Sequence, residues 1–255
     1  ALSPGQLKVE GIACVAPEVG TDALDGGLMR MHITANCHPN EFVQISYGGA
    51  EFIRKLNSYG ALDYDLDCFA GSSSAVEVRF ADGVTRQVPV NAKDLDKVSK
   101  IAVVWRAGVN LDLHVFEYAA KFGESGHYWS ATPSSFTTAQ VQSQADQRGH
   151  GFLSSIDDEK TLGDKLEVYT FLHNDQQTTG AISLALDNAT RGETPSGPTC
   201  GQGALAEIGF QVSILPRNGQ VTRQSGVLTR VDCGTKLSHE ARFNQSAMPG
   251  LRIRR

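Results

Sequence analysis

Residues 42–56 read FVQISYGGAEFIRKL and decide the fold class. Two short runs rich in β-branched and aromatic residues, 42–47 and 50–56, flank the dipeptide Gly48-Gly49. Glycine accepts the positive φ that tight hairpin turns require, so the stretch predicts two antiparallel strands joined by a turn. The same pattern recurs along the chain, for example around Ala81-Asp82-Gly83-Val84, and it predicts an all-β protein.

The first part of the chain has the strand pattern of an immunoglobulin-like sandwich. Further strands are predicted at 7–15, 28–35, 61–66, 76–80 and 84–90, which makes seven short strands in about 90 residues. Because side chains alternate along a strand, Met29, Met31 and Ile33 are expected on the buried face and His32 on the solvent face. Residues 91–100, NAKDLDKVSK, are charged and poor in apolar residues, and they are predicted to be a linker.

The second part is predicted to be a larger β-sandwich with long loops, of immunoglobulin-like or jelly-roll-like type. Its strands are predicted at 101–105, 111–118, 152–156, 166–172, 180–186, 205–215 and 226–231. The polar stretch 134–148 predicts one short helix capped by Thr137 or Thr138. The predicted domains are therefore residues 1–97 and 98–255.

Composition and motifs narrow the function classes. The chain has 255 residues and a formal net charge of -5, which argues against a surface built to neutralise nucleic-acid phosphates. No apolar run approaches the roughly 18 residues that span a bilayer. The Gly-x-Ser-x-Gly elbow, His-Glu-x-x-His helix, P-loop and dinucleotide fingerprint are all missing from the sequence, which favours a non-enzymatic protein. A hydrolase with an unrecognised site is the alternative.

Five cysteines bear on the compartment. They form no CxxC pair, and their wide spacing favours structural disulfides over a zinc or redox site. Cys200 and Cys233 flank a two-strand excursion and are predicted to pair; Cys14, Cys37 and Cys68 compete for one bridge, with Cys14–Cys37 favoured and Cys68 left as a buried thiol. Residues 1–5, ALSPG, are typical of a mature N-terminus left by a signal peptidase. Five reduced thiols in a cytosolic protein is the alternative.

The segment 105–129, WRAGVNLDLHVFEYAAKFGESGHYW, holds the candidate site. In a strand, Asp112 and His114 share one face, and a returning hairpin places His127 near them. Aspartate and histidine are suitable ligands for a divalent metal, and the loop acids add oxygen ligands of the kind calcium prefers. The candidate metal ligands are Asn110, Asp112, His114, His127, Asp157 and Asp158.

Two alternatives apply to these polar residues. Alternate polar positions are what the solvated face of a sheet requires, and the acids Asp157-Asp158-Glu159, with Asp164 and Glu167, are typical of a charged hairpin tip. No cofactor is predicted beyond possible calcium. Aromatic side chains such as Tyr118, Tyr128 and Trp129 are candidates for stacking on a sugar or for completing a core. The candidate partner-binding residues are Tyr128, Trp129 and the basic tail Arg252, Arg254 and Arg255.

Several motifs resemble those of a group of uncharacterised exported β-sandwich proteins of alphaproteobacteria. They are the segments 36–41 (NCHPNE), 47–49 (YGG), 113–118 (LHVFEY), 126–129 (GHYW) and 167–171 (EVYTF), together with the spacing of the late cysteines. The resemblance covers most of the chain and implies an exported location without implying an activity. The run 105–115 is also similar to a signature of bacterial envelope β-sandwich domains, but Asn110 stands where that signature has an acidic residue.

These observations predict a non-enzymatic structural or adaptor subunit of a bacterial periplasmic or cell-surface assembly. The predicted partners are other protein subunits or further copies of this chain, with no nucleic acid and no membrane span. A calcium- or glycan-binding envelope module is the second function class.

Overall fold

A computed structural model describes residues 15–106, 111–132, 134–155, 162–175, 180–187, 207–217, 219–229 and 250–253. Sixteen strands and one helix lie within these ranges. In chain order they are β1 (Glu18–Leu24), β2 (Leu28–Thr34), β3 (Phe42–Tyr47), β4 (Ala50–Lys55), β5 (Ala61–Asp67), β6 (Ala75–Arg79), β7 (Thr85–Pro89), β8 (Val98–Arg106), β9 (Asp112–Glu117), β10 (His127–Tyr128), α1 (Phe136–Asp146), β11 (His150–Ser155), β12 (Leu162–Leu172), β13 (Gly180–Asp187), β14 (Glu207–Leu215), β15 (Thr222–Thr229) and β16 (Leu251–Ile253).

The predicted all-β class is confirmed, and most predicted strands lie within a few residues of their observed positions. The hairpin of β3 and β4 pairs Tyr47 with Ala50 across the glycine turn. Met29, Met31 and Ile33 are buried, as alternation predicted. Strands β1, β10 and β16 were not predicted, and α1 is capped by Ser135, whose side chain accepts from Thr138 N, rather than by a threonine. The strand predicted at 7–15 lies outside the described residues except for Val15.

All strand pairs are antiparallel, and they form three sheets among the described residues. One sheet has the order β1-β2-β5 and another the order β10-β9-β13-β16. The third runs β15-β14-β8-β12-β4-β3-β6-β7, with β11 also paired to β12. The two smaller sheets cover opposite faces of the large sheet, and each encloses its own hydrophobic core against it.

Strands β8 and β12 contribute side chains to both cores. Ala102 and Val104 pack into the first core with β2 to β6, while Ile101, Val103 and Trp105 pack into the second with β9, β10 and β13. A strand with both faces covered must be apolar at successive positions rather than at alternate ones. Eight consecutive residues of β8 are indeed buried. The two-domain division therefore stays a prediction, because one continuous sheet serves both halves.

The predicted linker is wrong at its C-terminal end. Residues 98–100 form the start of β8, and Lys100 is fully buried despite its charge. Its Nζ lies 2.7 Å from Asp67 Oδ1, at the end of β5. A buried charge requires a partner, and here the partner lies 33 residues earlier in the chain, where local composition gives no sign of it.

Within the described ranges, no helix has the length and apolarity needed to cross a membrane.

The large sheet is continuous because β12 pairs with β4 through Leu162 and Gly163. Gly163 has φ 85°, and a Cβ at this position would lie 2.4 Å from the carbonyl oxygen of Glu51. Any other residue would thus meet both a strained backbone conformation and a collision with the neighbouring strand. The join between the two halves depends on this glycine.

We expect Gly163→Ala to lower the free energy of unfolding by about 3 kcal/mol, because it adds a steric clash to the cost of a positive φ. Gly83→Ala is the matched control, since Gly83 has φ 87° but a Cβ added there would meet no atom within 4 Å. The control should lose only about 1 kcal/mol, which is the conformational cost alone. Urea unfolding of both variants measures the difference, and equal losses would contradict the role of the β4–β12 join.

Candidate functional site: an aromatic–histidine face

The predicted return of the chain after Asp112 and His114 is a β-hairpin. Strand β10 pairs with β9, with His127 opposite Phe116 and Tyr128 opposite Val115. Glycines at positions 123 and 126 adopt positive φ in the connection. Alternation then separates the two faces of β9: Leu113, Val115 and Glu117 point into the second core, while Asp112, His114 and Phe116 point to the outer side of the sheet.

His114 and His127 form a direct hydrogen bond on that outer side. Nδ1 of His114 lies 2.9 Å from Nε2 of His127, and the backbone amide of Gly123 donates to His127 Nδ1 at 3.0 Å. Because Nδ1 of His127 accepts, its proton is on Nε2, which donates to His114 Nδ1. Both rings must be neutral for this arrangement. Burial lowers the pKa of His127 from 6.5 to about 4, which is consistent with a neutral pair.

Three further aromatic rings pack around this pair. We call all five rings together the aromatic–histidine face: His114, Phe116, Phe122, His127 and Trp129. The Phe116 and His127 rings stack with centroids 4.6 Å apart and an interplanar angle of 5°. Trp129 stacks on His114 at 4.8 Å, and Phe122 lies 4.8 Å from His127. These separations are typical of favourable aromatic pairs, so the face is a packed layer rather than a set of independent side chains.

Within this face the two histidines are the buried rings, and the other three rings are partly exposed. His114 and His127 are buried, Phe116 and Trp129 are half-buried, and Phe122 is 36% exposed. Tyr128, a candidate surface residue, instead lies in the second core beside Tyr169, because it occupies the inward position of β10. The structure therefore places Trp129 at the surface and Tyr128 inside.

The inward face of β9 carries a polar network that the sequence did not predict. Glu117 accepts from the Tyr169 hydroxyl and from the backbone amide of Gly151 at 2.7 Å. Its second oxygen lies 2.7 Å from His150 Nδ1, and His150 Nε2 lies 2.9 Å from Asp146. The contacts tie β9 to β11, β12 and the end of α1. They satisfy a carboxylate that is 1% exposed, so the network is primarily structural.

Glu167 provides a second polar tie between the sheets. Its Oε2 accepts from the backbone amide of Leu113 at 2.6 Å, across the second core. Asp164, three residues earlier, accepts from the amide of Glu51 at 2.9 Å and lies 3.3 Å from Arg106. Residues three apart in a strand point to opposite faces, so these two predicted loop acids do not converge on one site.

The predicted metal site falls only partly within the described residues. Asp112, His114 and His127 are close in the fold, but Asn110, Asp157 and Asp158 lie outside the described residues. Within the described ranges, no three histidine, cysteine, aspartate or glutamate side chains are arranged to hold a metal ion. His114 and His127 face each other through a hydrogen bond. Metal binding stays a prediction.

The remaining predicted residues are placed as follows. Cys37 is disulfide-bonded and Cys68 is a buried free thiol, but Cys14, Cys200 and Cys233 lie outside the described residues, so both predicted pairings stay predictions. Burial raises the pKa of Cys68 to about 12. Arg252 is exposed on β16, which pairs with β13; it therefore belongs to a strand rather than to a free tail. Arg254 and Arg255 lie outside the described ranges.

His32 has well-defined partners on the outer face of the three-stranded sheet. Its ring nitrogens lie 2.9 Å from Asp22 and 2.7 Å from Asp63, which raises its pKa through both hydrogen bonds. Its side chain is 41% exposed, so the expected solvent-facing position is confirmed.

No protein-family model and no curated protein matches the sequence. Among solved structures, the chain is similar to one from a study of host cell surface retention of a 1.5-MDa bacterial ice-binding adhesin, with 11% identity, a TM-score of 0.19, and coverage of 88% of this chain and 100% of that one. Another is from a Ca²⁺-stabilized adhesin that helps an Antarctic bacterium reach out and bind ice, with 10% identity, a TM-score of 0.19, and coverage of 86% and 75%.

The His114–His127 pair predicts a pH dependence of stability. The folded-state pKa of His127 is about 4 against 6.5 for an ordinary histidine, so the unfolded chain binds the extra proton first. The stabilisation is complete above pH 6.5 and is lost as the pH falls toward 4. Over this range we expect the free energy of unfolding to fall by about 3 kcal/mol because of His127. His127→Gln should remove this contribution, and urea unfolding at successive pH values measures it.

His32→Gln is the control. The folded-state pKa of His32 is raised above 6.5, so its stabilisation is fully present below 6.5 and is lost only as the pH rises above it. In this variant the free energy of unfolding should change with pH between 6.5 and 4 as it does in the wild type. If the free energy of unfolding of His127→Gln also followed the wild-type pH dependence, the result would contradict the neutral histidine pair.

Proposed function

We propose that this protein is a non-enzymatic structural or adaptor subunit of a bacterial periplasmic or cell-surface assembly, and that it acts through protein–protein contacts at the aromatic–histidine face. The observation that carries the proposal is a packed layer of rings on the outer side of a sheet, with Phe116, Phe122 and Trp129 partly exposed. Aromatic side chains are enriched at the centres of protein interfaces, where they bury large areas at a low entropic cost.

The support beneath this face favours binding over catalysis. Glu117 and Glu167 fix β9 from the inner side by hydrogen bonds to other strands, so His114 and Phe116 stand on a rigid element. Rigid elements hold binding residues more reproducibly than loops do. The same contacts engage the buried carboxylates and His150 in structural roles, which argues against their use as general acids or bases.

An exported location is the second part of the proposal. It is supported by Cys37, a disulfide-bonded cysteine, since disulfides persist in oxidising compartments. The resemblance of the motifs around residues 36–41 and 126–129 to exported alphaproteobacterial proteins points the same way.

We expect Phe122→Ser and Trp129→Ser to reduce the size of the native assembly, because each removes a ring from the proposed contact. The measurement is size-exclusion chromatography with light scattering of the protein extracted from its source cells. Trp129 packs on His114, so circular dichroism must confirm that its variant is folded. Phe122 packs on His127, so its variant needs the same control.

Tyr59→Ser is the matched control, because Tyr59 is 81% exposed in the turn between β4 and β5, away from the face. It should leave the assembly unchanged. A wild-type protein that is monomeric in the native extract, or folded variants of the face that keep the wild-type assembly, would refute the proposal.

A glycan-binding module is the second candidate, and the partly exposed Trp129 ring stacked on His114 favours it. Sugar rings pack on aromatic faces, and indole fluorescence reports such contacts directly. Titration with bacterial and host oligosaccharides should quench Trp129 fluorescence if this candidate holds. Quenching that Trp129→Phe abolishes would favour glycan binding over the protein–protein contact.

A further inference from the structure

Lys100 and Asp67 form a buried pair between the three-stranded sheet and the large sheet. The side chains are 0% and 2% exposed, and Nζ lies 2.7 Å from Oδ1. Lys100 lies on β8 and Asp67 at the end of β5, so the pair connects the three-stranded sheet to the large sheet. Neither residue belongs to the aromatic–histidine face.

The surroundings hold both side chains in fixed positions. Lys100 Nζ donates to the carbonyl oxygen of Gly26 and to Thr170 Oγ1, each at 2.9 Å. Ser154 Oγ donates to the second carboxylate oxygen of Asp67 at 3.0 Å. Gly27, at φ 75°, packs against the lysine chain, and a Cβ there would lie 2.7 Å from Cε.

The contact between the two groups is not a regular hydrogen bond. Asp67 Oδ1 accepts no hydrogen bond of ordinary geometry, even though Nζ is 2.7 Å away. The amine is therefore close to the carboxyl group but is not aligned with that oxygen as a donor should be.

We propose that Lys100 and Asp67 condense in the folded protein to form an intramolecular amide cross-link between Nζ and Cγ. Taking two charges out of water is costly, and the ion pair regains this cost only when its geometry is excellent. Condensation removes both charges from the interior. Exclusion of bulk water from the site disfavours the reverse hydrolysis.

The condensation of Lys100 with Asp67 needs no outside reagent and releases one water molecule. Rotation about the Cδ–Cε bond of Lys100 aligns one N–H with Oδ1, and that proton passes to the carboxylate, which gives a neutral amine and a carboxylic acid. The nitrogen lone pair then attacks Cγ, and the charge that develops on Oδ2 is stabilised by the Ser154 hydroxyl. The nitrogen passes a second proton to the Oδ1 hydroxyl, the C–Oδ1 bond breaks, and water leaves. The remaining N–H donates to Gly26 or Thr170.

The cross-link has a consequence for a structural subunit. It would join β5 to β8 covalently, so that the three-stranded sheet could not separate from the large sheet under load.

The experiment is the intact mass of the full chain after complete reduction and denaturation. We expect a mass lower than that of the sequence by one water molecule, and a proteolytic peptide in which Lys100 is joined to Asp67. Lys97→Met is the control, because Lys97 is exposed and pairs with Asp94 at 2.8 Å; it should keep the deficit. Lys100→Met should abolish the mass deficit. Ser154→Ala keeps both reacting groups and should slow the appearance of the deficit.

A full sequence mass after prolonged incubation of the folded wild type would overturn the proposal and leave an ion pair only. Aspartate-glycine sequences also lose water by cyclising, and this chain has two of them, at Asp25-Gly26 and Asp82-Gly83. A deficit that peptide mapping places at either of these sites would therefore overturn the proposal as well. A deficit unchanged in folded Lys100→Met would do the same.

Discussion

The pairing of β8 with β12 is the interaction on which the rest of the structure depends. Nine residue pairs join these strands, and both strands are covered on both sides. Successive side chains of β12 point to opposite faces of the sheet and so pack in different cores. Leu166 and Val168 pack in the first core, and Tyr169 and Phe171 pack in the second. A change in register by one residue would exchange these sets and disrupt both cores at once. The pair is thus the structural link between two halves that the sequence presents as separate domains.

Features encoded by neighbouring residues were predictable, and features encoded by distant partners were not. The β3–β4 hairpin follows from Gly48-Gly49 and the flanking apolar runs, so it could be placed nearly to the residue. Lys100 was assigned to a linker because its neighbours are charged, although Asp67 and Thr170 make it a core residue. Strand β1, EVGTDAL, escaped prediction because its burial is only partial and its composition is that of a loop.

The candidate site shows the same division. Alternation alone placed Asp112 and His114 on one side of a strand, and the glycines before His127 indicated its return. The partners of Glu117 could not be inferred, since His150 and Tyr169 follow it by 33 and 52 residues. A buried carboxylate at an inward position of an apolar strand, LHVFEY, was the only local sign of a network, because such a group requires hydrogen-bonding partners.

The two sides of β9 perform separate tasks, and this separation explains how rings can be displayed without loss of stability. On the inner side, Glu117 and the amide of Leu113 are fixed by contacts from β11 and β12. On the outer side, His114 and His127 satisfy each other and present flat surfaces to Phe116 and Trp129. A neutral histidine pair is suited to this position because it is polar enough to bond and aromatic enough to stack. Protonation of either ring would disrupt the pair, so the order of the exposed rings depends on the buried nitrogen contact beneath them.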